Sequence, residues 1–182
     1  MIHEVMSALQ DAIEDYFRGR FDAMDGKILL SGLVDQEGKP LAFEEDNVVI
    51  TLVNIEREQV LGRSRGLVAD GENIPFHLKI WLLFSVPSVE GNYEEALKLI
   101  SGLISFFQAN QSIPGADLGL PSNIEKLTFE YHAEELLGMS NMWGMHGGRY
   151  LPSALFKVRI VTFNEDFSAP TGRVKGLGAK IF

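Results

Sequence analysis

Four stretches of this chain carry side chains able to do chemistry, and each lacks a partner that the chemistry would need. His132-Ala133-Glu134-Glu135 begins like a zinc-protease helix, but no second histidine follows four positions on. The remaining histidines, His3, His77 and His146, pair with nothing at helical spacing, and His77 reads as a half-buried, hydrogen-bonded strand residue. Gly144-Met145-His146-Gly147-Gly148-Arg149 offers glycine amides and a guanidinium, the ingredients of a phosphate cradle. It lacks the Lys-Ser/Thr of a P-loop and runs into Tyr150-Leu151-Pro152 instead of a helix, so a tight corner seating Trp143 and Tyr150 is the better reading. Gly62-Arg63-Ser64-Arg65-Gly66 is a basic loop, suited to an acidic partner or simply to solvent. Glu44, Glu45 and Asp46 stand together before a strand with no matched partner for acid–base work. Neither a nucleophile elbow nor a dinucleotide fingerprint occurs. The residues therefore point to no catalytic centre, no cofactor and no metal.

The elements that would position these groups are easier to read. Ile2, Val5, Met6, Leu9, Ile13, Tyr16 and Phe17 recur at three- and four-residue steps, which predicts a helix with one apolar stripe. A short strand is expected over Lys27–Val34, then a turn over Asp35–Pro40 with Gly38 free to take positive φ. Asn47–Ile55 is β-branched and alternating, a strand ending at the polar Glu56-Arg57-Glu58. Phe76–Val86 becomes continuously apolar from Ile80, the pattern of a central strand covered on both faces along its second half. A second helix starts after Asn92, a candidate N-cap, with Glu94 and Glu95 in its first turn. Gln111–Ser122 reads as an excursion without an element of its own. A strand at Ile124–Tyr131, a short amphipathic helix from Glu134 leading to the glycine corner, and a final strand around Ala154–Ile160 complete the order. Lys157 and Arg159 alternate outward on a single face of that last strand. The expected product is one α+β domain, a single mixed or antiparallel sheet of about five strands with helices packed on it.

Composition narrows the function further. At 182 residues one core suffices, and the absence of cysteine excludes disulfides, thiolate zinc sites and cysteine nucleophiles, as fits a cytoplasmic protein. The opening Met-Ile-His-Glu lacks the basic and apolar regions of a signal peptide. Ile80–Val86, the longest apolar run, falls far short of the roughly 20 residues of a membrane span. A net charge of −9 argues against nucleic acid as a partner. The charge is also uneven: residues 1–46 hold 11 acidic and 4 basic side chains, whereas residues 149–182 hold 2 acidic and 6 basic ones. Opposite ends of this kind are either ordinary solvated surface or complementary surfaces between neighbouring subunits.

Six segments carry a family resemblance. LSGLVDQEGK (30–39), VITLVNIE (49–56), NYEEALK (92–98), FFQAN (106–110), IEKLTFE (124–130) and the run from Met142-Trp143-Gly144 through Gly148-Arg149-Tyr150-Leu151-Pro152-Ser153 occur in that order. Together they resemble the cap or tail-terminator proteins of phage-tail-like extracellular contractile injection systems, of the anti-feeding-prophage type, over residues 2–163. The resemblance implies a phage tail-terminator-like fold and a structural, non-enzymatic protein. Its expected partners are copies of itself, in a ring of six, together with the inner tube protein and the sheath protein, whose growth it would stop. Such a cap would be made and assembled in the cytoplasm, on a particle that is then released or retained. Some members carry a further C-terminal region, whereas this chain stops at Phe182. Residues 1–164 would form the cap domain and residues 165–182 a Gly-rich basic tail. Arg63, Arg65, Arg173, Lys175, Lys180 and Phe182 are the expected assembly contacts, and Trp143, Gly144, Gly147, Gly148, Arg149, Tyr150 and Pro152 the structural corner. The alternative is a small-ligand-binding or enzymatic α+β domain that uses the Trp143–Tyr150 corner.

Overall fold

A computed structural model describes residues 1–20, 27–43, 46–58, 78–87 and 92–162 of the chain. Val5, Leu9, Ile13 and Phe17, four residues apart, are all fully buried along one stripe of helix α1 (Ile2–Arg18). Strands β1 (Ile28–Leu30), β2 (Val48–Arg57) and β3 (Leu78–Ser85) follow, then helix α2 (Tyr93–Ala109). Strand β4 (Ser112–Pro114), a 3-10 turn at Gly115–Leu118, strand β5 (Ile124–His132), helix α3 (Leu136–Met145) and strand β6 (Ser153–Thr162) complete the described order. The strands form one six-stranded sheet in the order β1-β2-β3-β6-β5-β4. β1 pairs with β2 in parallel and every other pairing is antiparallel, so the sheet is mixed.

Residue parity assigns the two faces. Val48 and Ile50 of β2, Ile80, Leu82 and Phe84 of β3, and Ala154, Phe156, Val158 and Ile160 of β6 point to one side and bury against α1 and α2. Each such large apolar side chain contributes roughly 1.5–3 kcal/mol on burial, which makes this layer the main source of stability. Val49, Leu83 and Leu155 point to the other side and form a smaller core with Leu33, Met142 and Trp143. The second half of β3 is thus covered on both faces, as its unbroken apolar run predicts.

Four expectations need correction. The sheet has six strands, because Ser112–Pro114 pairs with Lys126–Thr128 inside the segment that reads as an excursion. Pro114 is compatible with it because β4 is an edge strand, whose outer side needs no N–H. The strand expected over Lys27–Val34 shortens to Ile28–Leu30; the chain leaves the sheet near Gly32 so that Leu33 can enter the smaller core. β2 continues through Glu56 and Arg57, held by pairing with Lys79 and Leu78 after a bulge between Leu52 and Asn54. Asn92 occupies the N-cap position of α2 but makes no side-chain capping hydrogen bond.

The helix α3 also departs from its expected amphipathic form. Met142 and Trp143 are buried beneath it, yet Leu136, Leu137 and Met145 are exposed, and none of its ten residues is charged. The turn at Asp35–Pro40 forms as expected, with Gly38 at φ 78° and the Asp35 carboxylate accepting the Glu37 and Lys39 amides at 2.8 and 2.9 Å. Among the described residues, no helix is long and apolar enough to cross a membrane.

Candidate assembly surface

The side of the sheet that carries α3 holds His132 and the glycine corner. α3 ends in a corner built on the Trp143 carbonyl, which accepts the His146 amide at 3.1 Å and the Gly148 amide at 2.7 Å. Gly147 and Gly148 take φ of 87° and 72°, as this helix ending requires. A Cβ on Gly147 would stand 3.0 Å from Pro40 Cγ and 3.1 Å from Val34 Cγ1, so the corner closes on the turn made by the Val34–Pro40 bridge. Gly144 lies inside the helix and not at the bend.

Trp143 is buried against Leu83 and Leu155, whereas Tyr150, its ring 5.8 Å away, is largely exposed. Pro152 is buried and its carbonyl accepts the Val86 amide at 3.0 Å, which ties the corner to the end of β3. Arg149 is exposed. With the Gly148 amide bonded to Trp143, the corner has lost one of the donors a phosphate cradle would need. A shallow groove of about 440 Å³ does run along it, lined by Leu136, Met139, Ser140, Trp143, Gly144, Gly148 and Tyr150, and no lining residue is charged. His146 is half-buried, its Nε2 enclosed, and burial pushes its pKa below the ordinary value.

Beyond α3 the same face of the sheet is open and charged. Glu58 Oε1 lies 2.8 Å from Arg159 Nη2 and 3.3 Å from Lys79 Nζ, a bridge across the β3–β6 pair. Lys157 sits over the Trp81 ring at 4.7 Å, and His132 packs edge-on against the same ring. His132 Nε2 is 3.0 Å from the Glu134 carboxylate, so the His-x-Glu of the sequence is a local contact at the end of β5 and not part of a helix. Among the described residues no group of three or more His, Asp or Glu could hold a metal ion.

Arg63, Arg65, Arg173, Lys175, Lys180 and Phe182 lie outside the described residues, as do His77, Glu44 and Glu45. What the sequence reading missed is the outer surface of α3. Leu136–Met145 is ten residues without a charge, a pattern that a buried helix shares, so the sequence marks the helix as unusual without marking which of its residues are exposed.

The architecture is a mixed sheet with α1 and α2 on one side and the uncharged α3 on the other, beside a groove with no charged lining residue. The chain belongs to the Pvc16 N-terminal domain family, whose model matches residues 4–175. No curated protein sequence matches it. Its fold is similar to the PVC sheath/tube terminator of an extracellular contractile injection system, solved by cryo-EM in the extended state, with 21% identity and a TM-score of 0.58. That match covers 100% of this chain and 63% of the terminator. It is also similar to the tube-terminating cap of the anti-feeding prophage, at 18% identity and a TM-score of 0.52 over 95% of this chain and 60% of the cap. The chain therefore spans a little under two thirds of the length of the solved structures it matches.

Proposed function

We propose that this chain is the ring-forming domain of a terminator, a structural protein that caps the end of the inner tube and sheath of a contractile injection particle and stops both from growing. The observation that carries this reading is the similarity of fold to a sheath/tube terminator over 100% of this chain and to a tube-terminating cap over 95% of it. Membership of the Pvc16 N-terminal domain family supports it.

The chemistry is consistent with a passive, non-enzymatic role. A terminator has to present to the last tube and sheath subunits a surface they accept, and to present outward a surface that accepts no further subunit. Rings of identical subunits need two unlike, complementary patches on each copy. In this reading the ring is a homohexamer, and its partners are the inner tube protein and the sheath protein. It assembles in the cytoplasm on a particle that can later leave the cell. Residues 1–164 act as the cap domain, and the basic tail at 165–182, together with Arg63 and Arg65, contacts neighbouring subunits.

The test is the mass of the purified chain in solution at several concentrations and salt levels, alone and with tube and sheath subunits. A hexamer, alone or formed on those partners, is the expected result. A monomer indifferent to both partners would overturn the proposal.

A further inference from the structure

Strand β2 is longer than the strand beside it. β1 pairs only with residues 48–50, and after the Ser31 amide reaches the Ile50 carbonyl at 3.2 Å the neighbouring chain leaves the sheet, its Ser31 carbonyl accepting Thr51 Oγ1 at 2.8 Å. β2 runs on to Arg57 with β3 on its other side. Among the described residues no strand pairs with the outer edge of β2 over residues 52–56. An edge of this kind is a template for a strand from another molecule. Its sequence, Leu52-Val53-Asn54-Ile55-Glu56, is β-prone apart from Asn54 and Glu56, and Ile55 is 47% exposed.

Alternation fixes which amide faces out. The Val48 amide donates to the Lys27 carbonyl and the Ile50 carbonyl accepts from Ser31, so up to Leu52 the even-numbered residues of β2 turn their backbone groups outward and the odd-numbered ones turn theirs toward β3. The bulge inserts Val53 without a β3 partner, which moves the next outward position from 54 to 55. The Ile55 amide is therefore the first edge donor past the bulge, and it is already engaged: Asn54 Oδ1 accepts it at 2.8 Å. Asn54 Nδ2 donates to Glu56 Oε1 at 3.3 Å. A carboxylate only accepts, so Glu56 holds the Asn54 amide with its oxygen on the Ile55 N–H.

We propose that Asn54 shuts the β2 edge against strand addition by a second copy of this chain. Every copy carries the same edge, and two such edges run antiparallel about a two-fold axis would pair as identical patches, each Ile55 amide needing an acceptor on the other copy. With that amide held by Asn54, the pairing has to break a hydrogen bond on each side before it makes one. The closure stands on the geometry of β2 alone; its use in ending a polymer rests on the terminator reading above.

Asn54→Val removes the acceptor and puts a strand former in its place, and the variant is compared with the wild type at equal residual stability. In dilute solution its Ile55 amide should exchange roughly tenfold faster, the loss of about one hydrogen bond. In concentrated solution it should self-associate, by sedimentation, at roughly a tenth of the concentration the wild type needs, with the Ile55 amide protected again in the associated form. Asn54→Ala, which also lacks the acceptor, should show the same faster exchange, so the test does not hang on one variant. Equal Ile55 exchange in wild type and variants, or faster exchange with no added association of Asn54→Val, would overturn the proposal. Capping of tubes by the wild type is read separately: a chain that does not cap but whose edge opens in Asn54→Val keeps this proposal and removes the terminator reading, and a chain that caps with no opening of the edge does the reverse.

Discussion

Leu83 and Phe84 are consecutive residues of β3, both fully buried, and they belong to different cores. Phe84 packs edge-on with Phe107 of α2 and Phe156 of β6, at ring separations of 5.2 and 5.7 Å. Leu83 lies with Met142 and Trp143 under α3. One strand therefore holds the α1–α2 layer and α3 in register through adjacent side chains.

Truncating the two should separate the larger core from the packing of α3. Phe84→Ala is expected to cost about 3–5 kcal/mol and Leu83→Ala about 2–5 kcal/mol in chemical denaturation. Only Leu83→Ala should also loosen α3, seen as faster amide exchange over 136–145 at equal residual stability. Equal exchange in the two variants would show that the smaller core does not hold the helix.

Gly115 cannot accept a side chain. A Cβ there would stand 2.1 Å from the Ile124 carbonyl oxygen, a backbone atom of β5. Gly115→Ala should destabilise by roughly 1–3 kcal/mol, as overpacking does. Gly119, at φ 64° with open space around it, should accept Asn within about 0.5 kcal/mol, since Asn tolerates that conformation. A thermal melt of both variants checks the contrast.

Glu58 is the shared acceptor of Arg159 and Lys79, with its side chain 16% exposed. Its partners are more exposed, so Glu58→Gln should cost about 0.2–1 kcal/mol at low salt. The difference from wild type should shrink at about 1 M salt, where the Debye length is near 3 Å. A salt-independent loss would mean that Glu58 acts through packing alone.

His146 has a pKa lowered by burial, so the unfolded chain takes up a proton that the folded chain refuses. Its contribution is fully present above the ordinary imidazole value, about 6.5, and is lost as pH falls below that value through the lowered folded one. His146→Gln should flatten the pH dependence of stability in that window. Equilibrium unfolding of both proteins between pH 7 and pH 5 reads this out.

Much of the fold was legible because it rests on local periodicity. The stripe at Val5, Leu9, Ile13 and Phe17 and the alternation of β2 and β6 each encode their own buried face. β4 was not legible, because three residues containing a proline become a strand only when β5 lies beside them. The end of β2 was hidden for a similar reason: Glu56 and Arg57 are polar, and only β3 makes them a strand. For the candidate surface, the corner glycines were visible through their spacing. The exposure of Leu136 and Leu137 was not, since an apolar residue on a helix reads as core until its neighbours are placed.

The central claim is that this chain ends tube and sheath growth, and the most direct measurement is the length distribution of particles assembled from tube and sheath subunits, by electron microscopy, with and without the chain. The account expects added chain to shorten the particles and narrow their lengths, with a ring of density at one end. Unchanged lengths, with the chain absent from the particle ends, would contradict it.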